Sequence, residues 1–236
     1  MHLVPVDTVI DRLGGWLLPP RCVLCNRPGQ PPGLDLCAGC DTALPRVDRP
    51  PVACDGLDRL WTAFDYGHPV DQLVHALKYR GALATGRVLG TLLAAEAGAL
   101  GLHLDVDWIV PLPLHPRRHA ERGYNQAAEI ARWCARALGR PLRADPLHRT
   151  RGTRPQVGLG IADRRENVAG AFLANACCAG RRIAIVDDVV TTGSTLASAA
   201  AALREAGAAT VDAWCVARVL AADRVHWGPS TEAPHA

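Results

Sequence analysis

The chain has 236 residues, 49% hydrophobic and 21% charged, enough for one large domain or one domain with an appendage, and it predicts a well-packed core. A net charge of +3 is too small to argue for nucleic-acid binding by itself, and no uninterrupted apolar run reaches membrane-spanning length. Nine cysteines, an odd number with four at metal-site spacing, fit a reducing, cytoplasmic compartment better than a disulfide framework.

Residues 1–20 form an N-terminal stretch without the basic start, long apolar core or small-residue cleavage site of a targeting segment; Asp7 and Asp11 interrupt it. Within it, Val6, Ile10, Leu13 and Leu17 predict a short amphipathic helix over 5–18, which either caps the main domain or meets a partner or membrane. Residues 21–45 are a cysteine-, proline- and glycine-rich module too small for its own apolar core. Cys22, Cys25, Cys37 and Cys40 give two C-x2-C pairs, whose thiolates can close a tetrahedron around Zn2+. Four sulfur ligands leave no position open to water, so the zinc is expected to be structural. Ligation of this kind is worth roughly 10–16 kcal/mol of apparent folding free energy. The module either clamps the N-terminus or contacts a partner or nucleic acid through Arg21, Arg27 and Arg46. Cys54, Cys134, Cys177, Cys178 and Cys215 read as ordinary small buried residues, with Cys54 the one substitute ligand.

The main domain is expected over 55–222, with a tail over 223–236 that frays. Strand-like residues surround Leu60–Phe64. Helices follow over 69–79, with His75, Lys78 and Tyr79 near its end, and over 85–97. Asp107–Val110 reads as a buried strand running into Pro111-Leu112-Pro113. A helix spans 125–138, with Asn125 suited to cap it. An irregular polar stretch over 148–168 precedes a strand candidate at 170–173. Ile183–Val186 is a buried strand, 195–206 a helix ended by Gly207, and 210–217 another strand. This alternation implies an α/β fold with a mainly parallel sheet covered on both faces, whose ligands gather beyond the carboxyl ends of the strands.

The most informative residues follow the strand at 183–186. Asp187 and Asp188 are adjacent carboxylates, and carboxylates are rarely buried without a partner. Val189, Val190 and the small hydroxyl-rich run Thr191, Thr192, Gly193, Ser194 and Thr195 come next. Successive N–H groups, four hydroxyls and a helix start form a cradle for a phosphate monoester. No lysine stands where a nucleotide triphosphatase loop needs one. The carboxylates suit vicinal sugar hydroxyls, or a magnesium ion near a pyrophosphate.

The stretch 183–195 resembles the signature of the type I phosphoribosyltransferases. That resemblance implies that Asp187 and Asp188 bind the ribose hydroxyls of phosphoribosyl pyrophosphate, while Val189 and Thr191–Thr195 hold its 5′-phosphate. Further motifs narrow it: Pro111–Leu114, Arg117-Arg118, Glu121-Arg122-Gly123-Tyr124-Asn125-Gln126, Arg149 through Gln156, Arg164–Val168, Leu77-Lys78-Tyr79-Arg80-Gly81 and the four-cysteine module. Together, over roughly residues 20–220, they resemble the competence protein F family.

The resemblance implies a phosphoribosyltransferase-like fold with Pro113, Leu114, Arg117 and Arg122 facing the pyrophosphate, and Mg2+ accompanying it. It implies that 149–167 is the loop closing over the reacting centre, with Arg149 and Arg154 stabilising departing charge. If enzymatic, the reaction transfers phosphoribosyl to a nitrogenous acceptor held around residues 60–85, with no covalent nucleophile. The alternative is a non-catalytic nucleotide sensor or scaffold. The resemblance also implies a role in DNA uptake and natural transformation, beside a helicase and other DNA-processing proteins on incoming single-stranded DNA.

Overall fold

A computed structural model of the protein describes residues 20–31, 33–54, 56–150 and 170–219. The helix expected at 5–18, the tail from 223 and residues 151–167 of the arginine-rich stretch lie outside them. Chain order is α1 (Ala38–Thr42), β1 (Val52–Cys54), β2 (Leu57–Asp65), α2 (Val70–Arg80), α3 (Leu83–Ala99), β3 (Trp108–Pro111), α4 (Pro116–Arg122), α5 (Gln126–Leu138), β4 (Leu147–Arg149), β5 (Phe172–Ala174), β6 (Arg182–Val190), α6 (Ser194–Glu205) and β7 (Thr210–Arg218). A five-stranded sheet runs β1-β2-β7-β6-β3, parallel throughout except for the antiparallel edge strand β1. The expected mainly parallel sheet is therefore present.

Alternation along the strands divides the core. Trp61, Ile109, Ala184, Val186, Trp214 and Val216 face one side, against α2, α3 and α5. Leu60, Val110, Ile183, Ile185, Val211 and Ala213 face the other, against α6 and the β4–β5 hairpin. Burial on both faces is why Ile183–Val186 reads as an unbroken apolar run. Helix α5 starts at Asn125, whose Oδ1 accepts the Ala127 N–H at 3.0 Å, as its sequence position predicts. Gly90 lets α3 press on α5, because a Cβ there would collide with the Ile130 carbonyl oxygen.

Several elements go beyond the sequence expectation. Strand β6 does not stop at Val186 but runs to Val190, so both aspartates lie within it. Helix α4 carries few apolar residues and has no periodic signature. Edge strand β1 is only three residues long. Cys177, expected to be buried, is exposed.

At the amino ends of the strands, charges are paired. Arg182 holds Asp107 at 2.9 Å, Arg59 holds the buried Asp212 at 2.7 Å, and Arg204 holds Asp58 at 2.6 Å. The four-cysteine module shares the main core, because Cys22, Leu36 and Leu44 pack in the same apolar cluster as α2 and α3. Ion pairs from Asp35 to Arg87 and from Arg46 to Glu96 fasten it to α3. Among the described residues, no helix is long and apolar enough to cross a membrane.

Candidate functional site

In the four-cysteine module, Asn26 adopts a left-handed φ of 60°, and the Asn26 N–H donates to the Cys22 carbonyl at 2.8 Å. This turn folds the first C-x2-C pair back on itself. The second pair lies at the start of α1, where Cys37 is the N-cap and Cys40 sits in the first turn. The four ligand atoms all lie within 4.8 Å of one another, and the Cys25 and Cys37 sulfurs are 3.6 Å apart. Sulfurs at the corners of a zinc tetrahedron are about 3.8 Å apart, for a bond of roughly 2.3 Å. The cluster is therefore able to hold a metal ion.

The thiols polarise each other. Burial works against it, yet backbone hydrogen bonds from Cys37, Cys25 and Leu24 bring Cys22 down to about 6. Burial and then hydrogen bonding to Cys25, Cys37 and Cys22 push Cys40 up. Four sulfur ligands this close suit a shared cation. Of the arginines considered for nucleic-acid contact, Arg46 is committed to Asp41 at 2.6 Å and Glu96 at 2.7 Å. Arg21 donates to the Asn26 carbonyl at 3.2 Å.

The second site lies at the carboxyl ends of β3 and β6. Leu112 extends the β3–β6 ladder, its N–H donating to the Val186 carbonyl at 2.9 Å. Asn125 Nδ2 donates to the Leu112 carbonyl at 3.0 Å, tying the Leu112–Leu114 turn to the start of α5. Asn125 thus both caps and braces. Pro113 and Leu114 are half-buried.

Because side chains alternate along β6, its two aspartates address opposite sides of the sheet. Asp188 lies on the side of α2, where Lys78 Nζ reaches its Oδ1 at 3.0 Å. Asp187 lies on the side of the β4–β5 hairpin, where it feels the charge of Arg149. Asp188 is buried and Asp187 half-buried. Burial, then the Asp188 carboxylate, push Asp187 up to about 7, against the Asp188 N–H donating to it at 2.8 Å and the charges of Lys78 and Arg149. Asp187 therefore takes up a proton near neutrality. Both carboxyl groups can bind hydroxyl groups.

Next comes the turn. Gly193, with φ +75°, is the N-cap of α6, and that twelve-residue helix has no side-chain cap. No atom lies within 4 Å of the position a Gly193 Cβ would take. The glycine is therefore required by its backbone conformation, not by crowding. Thr192 Oγ1 and Ser194 Oγ lie 3.1 Å apart, while Thr195 sits half-buried and Thr191 exposed. First-turn N–H groups with no side-chain cap, next to clustered hydroxyls, suit an anion.

Arg149 also stacks over Phe172 at 5.3 Å, and burial followed by Arg118 lowers its pKa. Arg117 forms an exposed pair with Glu121 at 3.1 Å, and Arg122 lies over Tyr79 at 5.2 Å. His115 Nδ1 accepts the Arg117 N–H at 3.0 Å and starts α4. Burial, Arg149, Arg118 and Arg117 all lower the His115 pKa. Arg154, Gln156, Arg164, Arg165 and Asn167 lie outside the described residues. The structure thus gathers Asp187, Asp188, Arg149, Pro113, Leu114 and the Thr191–Thr195 turn at one end of the sheet. It adds Lys78, which the sequence places only near the end of a helix. The available signal was its place in the Leu77–Gly81 motif.

Residues 151–228 match a family model described as a phosphoribosyl transferase domain. The chain is 36% identical over 216 residues to the DNA utilization protein YhgH of Escherichia coli O157:H7, covering 88% of this chain and 93% of that protein. It is 34% identical over 167 residues to competence protein F of Haemophilus influenzae, covering 68% and 73% of the two chains. It is 33% identical over 114 residues to competence protein ComFC of Bacillus subtilis, covering 47% and 44%.

Proposed function

Because the chain belongs to the competence protein F family and carries a phosphoribosyltransferase-like domain with a four-cysteine module able to hold a metal, we propose that it binds phosphoribosyl pyrophosphate or a related ribose 5-phosphate ligand and serves in DNA uptake. The observation that carries this reading is the sequence of groups at the end of β6. Two adjacent carboxylates on opposite sides of the sheet lead, within one strand and one left-handed glycine, into a helix start with no side-chain cap.

In this reading Asp187 and Asp188 hold the ribose hydroxyls, and Val189 and Thr191–Thr195 seat the 5′-phosphate. Pro113, Leu114, Arg117 and Arg122 face the pyrophosphate end. Arg149, with Arg154, offsets charge developing on pyrophosphate as it leaves. The carboxylate pair and the arginines around it fit a pyrophosphate that carries its own cation. When bound there, Mg2+ supplies neutralisation of the leaving group. Transfer would break the bond from the anomeric carbon to pyrophosphate and form one to an acceptor nitrogen, which gives up its proton.

Zinc on the four cysteines stabilises the N-terminal module. A thiolate site needs a reducing compartment, which supports cytoplasmic placement. Relatives named competence and DNA utilization proteins support a place in DNA handling; in this reading its partners are a competence helicase, other DNA-processing proteins and single-stranded DNA.

Calorimetric titration with phosphoribosyl pyrophosphate, with and without Mg2+, tests the reading. Saturable binding that Asp187→Ala and Asp188→Ala weaken is expected, and absence of saturable binding overturns it. Pyrophosphate release with a panel of bases separates a transferase from a sensor.

A further inference from the structure

Strand β2 is met twice along its outer edge, with a gap between. Val52 of β1 pairs with Leu60, and farther along the Val47 N–H donates to the Ala63 carbonyl at 2.9 Å. Residues 48–51, between those two points, carry no strand pairing. Pro50 and Pro51 cannot close the gap, because neither has an N–H to give to the edge. The gap opens into a hollow of about 110 Å³. None of Asp187, Asp188 and Thr191–Thr195 lines it.

The walls of this hollow divide by chemistry. Val47, Pro50, Val52, Leu60 and Val190 give it an apolar lining. Thr62 adds one hydroxyl, on a residue only 6% exposed. Two guanidinium groups, of Arg49 and Arg218, complete the lining. Arg218 already holds Asp65 at 2.7 Å. Arg49 is exposed and has no carboxylate partner among the described residues. Two cations against one carboxylate leave a single positive charge beside an apolar interior.

That combination selects its occupant. A plain hydrocarbon leaves Arg49 without a counter-charge. A phosphate dianion would lose water against apolar walls that give it no partner. A monoanion with a small aliphatic body uses both parts. An apolar cavity of about 150 Å³ takes benzene, so one of about 110 Å³ takes a body of roughly four carbons. We infer that this hollow is a binding site for a short aliphatic monocarboxylate, with its charge at Arg49, Arg218 and Thr62 and its alkyl group against Val52, Leu60 and Val190. Carboxylate and guanidinium suit each other as planar, forked groups. Val190 ends β6, so the occupant would lie against the strand that carries Asp187 and Asp188. The site does not depend on the sugar-phosphate reading, since the two have no lining residue in common.

Titration of the isotope-labelled full chain with isobutyrate, followed by NMR against a sodium chloride control of equal ionic strength, tests the site. Saturable shifts of the Val52, Thr62 and Val190 amides are expected, with a dissociation constant in the millimolar range, the scale for so small a ligand. Isobutyramide, of the same shape without the charge, should bind more weakly by about 3- to 10-fold. Arg49→Gln should weaken isobutyrate by about the same factor, and Arg49→Lys should recover part of the loss. Thermal melts check that these variants keep the fold. Shifts that do not saturate, or that chloride reproduces, overturn the site. Equal binding of isobutyramide overturns the carboxylate class, and unchanged affinity in Arg49→Gln overturns the role of the cation. Shifts confined to Asp187–Thr195 place the anion at the sugar-phosphate turn, which overturns the second site and leaves the sugar-phosphate reading standing.

Discussion

Lys78 of α2 and Asp188 of β6, from opposite halves of the chain, meet at 3.0 Å in a contact with little solvent around it. The lysine supplies the positive charge that lets two adjacent carboxylates share one strand. Lys78→Met leaves Asp188 without that partner. A loss of about 1–3 kcal/mol in folding stability is expected, because a charge in a poorly hydrated place is left unpaired. Urea denaturation measures it, and Lys78→Arg should recover most of it. An unchanged midpoint for Lys78→Met would mean that the lysine spends its time in water.

Asp187 gives the protein a pH signature. Its proton affinity rises from an ordinary 3.8 to about 7 in the fold, so folding takes up a proton between those values. Its contribution to stability is complete below pH 4 and is lost as pH rises through 7. Asp187→Asn should flatten this dependence and, at pH 8, exceed the wild type by on the order of 2 kcal/mol. Denaturation curves at pH 5 and pH 8 show it. A difference between variant and wild type that stays constant across the two pH values would refute the assignment.

Metal analysis is expected to find one zinc per chain. A strong chelator, or Cys40→Ser, should lower the melting temperature by roughly 5–15 °C, since several kcal/mol of ligation are lost from a chain of this size. Thiol titration of the native protein should then show the four ligands becoming reactive together.

At Gly193 the φ of +75° costs any other L residue strain, while the space above it is empty. Gly193→Ala should therefore destabilise by about 1–2 kcal/mol from backbone conformation alone. Gly193→Asn should cost less, because asparagine tolerates this region. The alanine variant should also weaken binding of ribose 5-phosphate, as the following N–H groups swing out of line. Equal behaviour of the two variants in denaturation and calorimetry would argue against a conformational role.

The parts of the fold that burial dictates were legible in the sequence. Ile183–Val186 is apolar because both faces of β6 are covered, and Asn125 and Gly139 bracket α5 by cap chemistry that is local. The aspartates stood out because carboxylates after such a strand need a purpose. What was not legible depends on distant partners. Lys78 stands in the Leu77–Gly81 motif, but helical periodicity does not show what it meets, because its partner lies on β6. The stack of His75, Tyr79 and Arg122 spans two helices. The β4–β5 hairpin pairs Leu147–Arg149 with Phe172–Ala174 across a long intervening stretch that periodicity does not bridge.

The packing of Cys22, Leu36 and Leu44 in the central apolar cluster changes what the N-terminal segment is. By composition it looks like a detachable cassette, the kind of unit that recombination moves between proteins. In space it is a wedge driven into the same interior that α2 and α3 share. A transplanted copy would arrive without most of its hydrophobic surroundings, and the donor left behind would carry an open seam along α3. The segment and the sheet are therefore one body in folding terms.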